Sequence, residues 1–139
     1  MKKQYKYAII YIVGGLYYAL IEILWRGYSH WTMILTGGIC VLCLYIIDEK
    51  LSNLPFALRC LMGGALITTV EFAVGTVVNT VLRWDVWDYS DESYNIMGQI
   101  CLTSSLIWIV LCIPGLAACS IVQLLFDNSE EKCYEENNI

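Results

Sequence analysis

Four long apolar runs constrain this chain more than any other feature of it. A helix that crosses a membrane needs about 20 mostly apolar residues, because the hydrocarbon layer is about 30 Å thick. Tyr7 to Trp25, Trp31 to Ile47, Phe56 to Leu82 and Ile96 to Phe126 each meet that demand. Of the 139 residues 58% are hydrophobic and 15% charged, more apolar surface than one soluble core of this size can hide. The bilayer is therefore the expected solvent. The connections, Arg26 to His30, Asp48 to Pro55 and Arg83 to Asn95, are short and force consecutive spans to run antiparallel. The expected fold is all-α, a four-helix transmembrane bundle of two helical hairpins. Residues 1–126 form its membrane domain, and residues 127–139 form an acidic, flexible cytoplasmic tail.

Charge is sparse and sorted. Lys2, Lys3, Lys6, Lys50, Arg59 and Lys132 fall on the side of both termini and the middle connection, with Arg26 and Arg83 opposite. That bias predicts both termini in the cytoplasm. Arg59, near the start of the third run, is expected to snorkel toward the headgroups, and Pro114 to kink the fourth run or end its straight part. The amino terminus imitates a signal peptide, but the run is too long, carries Glu22 and lacks a small-residue cleavage site, so it reads as a retained helix. No basic stripe interleaved with aromatics exists, which argues against nucleic acid. Of seven cysteines, six lie in apolar stretches and read as small packing residues. Cys40-x-x-Cys43 lacks the second pair of ligands that a zinc site needs.

The polar residues inside the runs carry the functional signal. A carboxylate at mid-bilayer costs roughly 2.5 to 3.5 kcal/mol even on lenient insertion scales, so it turns inward and finds partners. By helical rise, Glu22 lies about 22 Å from Tyr7, and Glu71 about 17 Å from Cys60, near the midplane. Tyr18, Glu22 and Arg26 recur every four residues on one face, so Glu22 and Arg26 can pair. Thr68, Glu71, Gly75 and Asn79 line one face of the third run, and Gln99 and Thr103, followed by Ser104 and Ser105, one face of the fourth. These stripes are expected to converge in the bundle, since lipid leaves polar atoms unpaired. The aromatic and charged connections, including Trp84-Asp85-Val86-Trp87-Asp88-Tyr89, sit at the same end, where an interfacial belt is the ordinary reading. The candidate substrate-binding residues are Glu22, Arg26, Glu71, Asn79, Asp88 and Gln99; interhelical hydrogen bonding is the competing role for the deeper ones. One histidine, His30, excludes a histidine-rich metal site, and no metal or cofactor is expected, although a carboxylate-lined cation site stays open.

An internal echo accompanies the two glutamates. Gly14-Gly15 precedes Glu22 and Gly63-Gly64 precedes Glu71 with the same eight-residue step, each in the first helix of a hairpin, as a parallel repeat would give. Signatures of phosphate loops, nucleophile elbows and dinucleotide turns are missing, so any ATP would be hydrolysed by a separate ATPase subunit.

Three blocks resemble the putative ABC-transporter type IV family of small bacterial membrane proteins. They are Glu22-Ile23-Leu24-Trp25-Arg26-Gly27-Tyr28-Ser29-His30-Trp31-Thr32-Met33 with Gly37-Gly38; Ile67-Thr68-Thr69-Val70-Glu71-Phe72 with Gly75 and Asn79; and Trp84 to Ser90 leading to Asn95, Gly98, Gln99, Ile100 and Cys101. The likeness spans Gly14 to Trp108, with Ser29 keeping the hydroxyl where threonine is expected. It implies a multi-pass protein of the bacterial plasma membrane with a permease-like role. Three functions stay open. The first is a permease-like protein, a homo-oligomer, with an outward-facing pocket for a small polar or cationic solute or ion. The second is an embedded enzyme acting on a lipid or cell-wall precursor, with Glu71 or Asp88 as base and Arg26 on a phosphate. The third is an accessory protein without its own activity.

Overall fold

The computed structural model describes the backbone of residues 3–136 and the side chains of residues 4–129. Lys2, the side chains of Lys3 and Lys132 and the far end of the acidic tail thus lie outside the described residues. Four membrane-length helices form, α1 (Lys3–Arg26), α2 (Trp31–Lys50), α3 (Phe56–Gly75) and α4 (Leu102–Glu136), with no strand among the described residues. All four are long and apolar enough to cross a membrane. α1 pairs with α2 and α3 with α4, as short connections require. The hairpins are not equivalent: α2 packs against all three other helices, whereas among the described residues α1 packs backbone to backbone only against α2.

Without a hydrophobic force between helices in lipid, close backbone approach at small residues has to hold the pairs together. Both glycine pairs of the echo serve that purpose. A Cβ on Gly15 would stand 2.3 Å from the Ile34 carbonyl oxygen of α2, and one on Gly64 2.3 Å from the Ile109 side chain of α4. From these contact points a further seven residues carry each glutamate about 10 Å along its helix, toward the same end of the bundle.

The sequence-derived boundaries shift where the connections have structure of their own. α3 stops at Gly75 and continues as a π-helical segment, Thr76–Val81. There the Leu82 amide bonds the Val77 carbonyl. The fourth helix starts at Leu102 rather than at 96, because residues 95–101 close a hydrogen-bonded turn. The Asn95 side chain accepts the Gly98 N–H, Tyr94, Met97 and Gly98 take positive φ, and the Cys101 sulfur accepts the Ser104 N–H at the helix start. α4 then runs through Pro114 and past the expected end at Phe126 to Glu136.

At the end shared by the termini, Arg59 does not snorkel. It pairs with Asp48, which is 2% exposed and also accepts the Ser120 hydroxyl at 2.7 Å. Lys6 lies over the Tyr45 and Phe126 rings, and the Tyr7 hydroxyl donates to Glu49. Desolvation explains the correction. The turn at residues 51–55 brings Asp48 beside Arg59, and pairing relieves the cost of two charges near hydrocarbon. The six described cysteines are free and mostly buried.

Candidate functional site

At the opposite end α1, α3, α4 and the connection before α4 line a cavity of about 620 Å³. Its depth belongs to α3. Glu71 is 4% exposed, with Oε2 accepting the Trp108 indole N–H at 2.9 Å and Oε1 facing the Tyr89 hydroxyl at 3.4 Å. Both donors are neutral, and no basic side chain bonds Glu71 among the described residues. An indole N–H in the middle of an apolar helix has to find an acceptor, because lipid offers none. Trp108 finds it in Glu71, and its ring stacks on Tyr18 of α1 at 5.6 Å.

Glu22 lines the same cavity one turn before the end of α1. It is neutralised locally: Arg26 pairs with it along the helix, and the Ser29 hydroxyl donates at 2.7 Å. Ser29 thus keeps the one atom the position needs. Asp88 and Glu92 are exposed and form part of the rim. The Ser90 hydroxyl and N–H donate to Asp88 and hold its carboxyl below the usual range, so it stays ionised. Burial first, and the Glu71 carboxylate second, push the Tyr89 hydroxyl well above the ordinary tyrosine range, so it remains a donor. In all, four carboxylates face the cavity against one guanidinium.

Asn79 and Gln99 do not line this cavity. Gln99 lies in the turn before α4 and shares no helical face with Thr103. The π segment takes Asn79 out of phase with Thr68, Glu71 and Gly75. Asn79 Nδ2 donates to Gln99 Oε1 at 2.9 Å, Asn79 Oδ1 accepts the Val86 N–H at 2.7 Å, and Gln99 Nε2 donates to the Met97 carbonyl. The Trp87 indole donates to the Gln99 carbonyl. These two residues hold the connecting loop over the bundle, and thereby position Trp87, Asp88 and Tyr89. Replacing Asn79 by alanine strands the Val86 amide, a loss of about 1–3 kcal/mol. Hydrogen exchange across residues 83–101 should quicken accordingly; unchanged exchange would contradict the tie.

His30 caps α2, its Nδ1 meeting the Thr32 amide at 3.4 Å, and packs beside Trp31 and Trp84. The Thr68 hydroxyl is buried without a hydrogen-bond partner among the described residues. No group of three or more metal-ligating side chains gathers among them. Tyr18 joins the lining from the stripe it shares with Glu22, whereas Met33, Tyr89 and Trp108 join it unannounced by the polar stripes. An indole N–H at mid-span, as in Trp108, is the kind of signal that could have pointed there, since it needs an acceptor.

A family model described as putative ABC-transporter type IV matches residues 33–135, most of the chain. The chain belongs to that family. The family's matched segment contains Glu71, Asn79, Asp88 and Gln99, while Glu22 and Arg26 precede it. Membership and four spanning helices make this a multi-pass membrane protein related by family to ABC transport. No curated protein and no solved structure gives a significant match.

Proposed function

We propose that this family member is a permease-like protein of the bacterial plasma membrane that binds a small cationic solute in the cavity lined by Glu71. The observation that carries the reading is Glu71, a deeply buried carboxylate that faces the cavity and is met only by neutral donors. A carboxylate held this way lacks a counter-charge, and a bound cation supplies one. Glu22 contributes little net charge, being paired with Arg26. Asp88 and Glu92 draw cations to the rim, and Trp25, Trp87 and Tyr18 give the cavity ring surfaces that suit an ammonium.

The basic residues grouped toward the termini favour a cavity that opens away from the cytoplasm. The family name supports a separate ATPase partner that drives movement of the solute, since these 139 residues hold no phosphate loop. The enzyme reading is weaker because Arg26, its phosphate anchor, is committed to Glu22.

Tetramethylammonium binding, followed by tryptophan fluorescence in lipid nanodiscs, tests the site. Glu71→Gln should weaken it about tenfold to a hundredfold, the worth of a charged hydrogen-bonded contact. Wild-type affinity in a folded Glu71→Gln protein would refute the cation site.

A further inference from the structure

The cavity has a second character that a purely aqueous solute would not need. Among the described residues α1 and α4 do not approach backbone to backbone. They meet through side chains alone, Tyr18 on Trp108 near the cavity and Lys6 over Phe126 at the far end. The cavity occupies the space between these two helices, and its lining includes apolar side chains of both: Ile21 and Trp25 from α1, Ile107 and Leu111 from α4. Trp25, Ile107 and Leu111 are also exposed, on helices long and apolar enough to cross a membrane. The same side chains therefore border both the cavity and the bilayer. A wall of this kind admits an apolar tail and offers a wholly polar ion nothing.

Resting on the cation site proposed above, we infer that the occupant is an amphipathic ammonium, with its head at Glu71 and its apolar tail lying in the gap between α1 and α4. Charge complementarity selects the head, since four carboxylates face one guanidinium. The exposed apolar border selects the tail and places its route of entry in the plane of the membrane. Tyr18 and Trp108, stacked between the helices, form the inner edge against which the head comes to rest.

A series of alkyltrimethylammonium ions, from methyl through butyl and hexyl to octyl, separates the two claims. Saturable binding to the full chain in phosphatidylcholine nanodiscs is referred to the free aqueous concentration, with protein-free discs subtracted. The expected result is a gain of about fourfold for each methylene that reaches the gap, lost in Glu71→Gln. Equal, Glu71-dependent affinity for the methyl and octyl members would overturn the amphipathic occupant and leave the cation site standing. Octyl binding that grows with length but ignores Glu71→Gln would overturn the placement of the head. Absence of saturable binding for every member would overturn both. Should Glu71→Gln fail to fold, competition in the wild type decides. Displacement of the octyl compound by excess tetramethylammonium supports a shared head site, and its failure refutes one.

Discussion

Replacing Arg59 by methionine will destabilise the protein by about 3–5 kcal/mol, the cost of leaving a buried charge without its partner. Asp48 is almost wholly enclosed, and after Arg59 is gone only the Ser120 hydroxyl bonds its carboxylate. Adding Asp48→Asn to the same protein removes the stranded charge and should recover most of the loss, because a buried ion pair contributes little net stability over a neutral replacement. A double-mutant cycle on unfolding in mixed detergent micelles reads this as a coupling energy between the two sites. A snorkelling Arg59, as the sequence alone suggests, would lose less than about 1 kcal/mol and show no coupling.

Gly15→Ala will be the most damaging single methyl in the chain. Its Cβ would meet the Ile34 carbonyl oxygen at 2.3 Å, and backbone cannot rotate away as a side chain can. α1 makes its close backbone contacts with α2, among the described residues, so the α1–α2 seam must open, at a cost of about 2–3 kcal/mol. Gly115→Ala is the internal control. Its nearest neighbour stands at an ordinary 3.4 Å, and alanine is the better helix former, so stability should hold or rise. Thermal unfolding in detergent compares the two. Equal midpoints for both variants would show that close approach at Gly15 does not hold α1 in place.

The spans were legible because hydrophobic length is read off the chain directly and only a helix satisfies its own backbone in lipid. Glu22, Arg26, Glu71 and Asp88 could be picked out for a related reason: a charge in or beside hydrocarbon is costly enough to need an explanation. Asn79 and Gln99 were sorted onto helical faces by assuming α-helical phase from Phe56 to Leu82 and from Ile96 onward. The π segment breaks the first assumption and the Asn95 turn the second. Nothing in residue type announces four non-glycine residues with positive φ, Arg83, Asp85, Tyr94 and Met97, in one connection. The Asp48–Arg59 pair was hidden by separation across a turn, which no periodicity reaches. From the sequence Tyr89 reads as part of the interfacial belt and Trp108 carries no role, since their role exists only once Glu71 lies between them.

On the proposed reading Glu71, though buried, faces a cavity that solutes reach from outside the membrane. Labelling of intact membranes with a water-soluble carbodiimide and a small amine, mapped by mass spectrometry, measures that access directly. Glu71 should be modified along with the rim carboxylates Asp88 and Glu92, while Asp48, tied to Arg59, stays unmodified. Tetramethylammonium should protect Glu71. Modification confined to Asp88 and Glu92, with Glu71 as silent as Asp48, would mean that the carboxylate is sealed in the bundle as a structural hydrogen-bonding post.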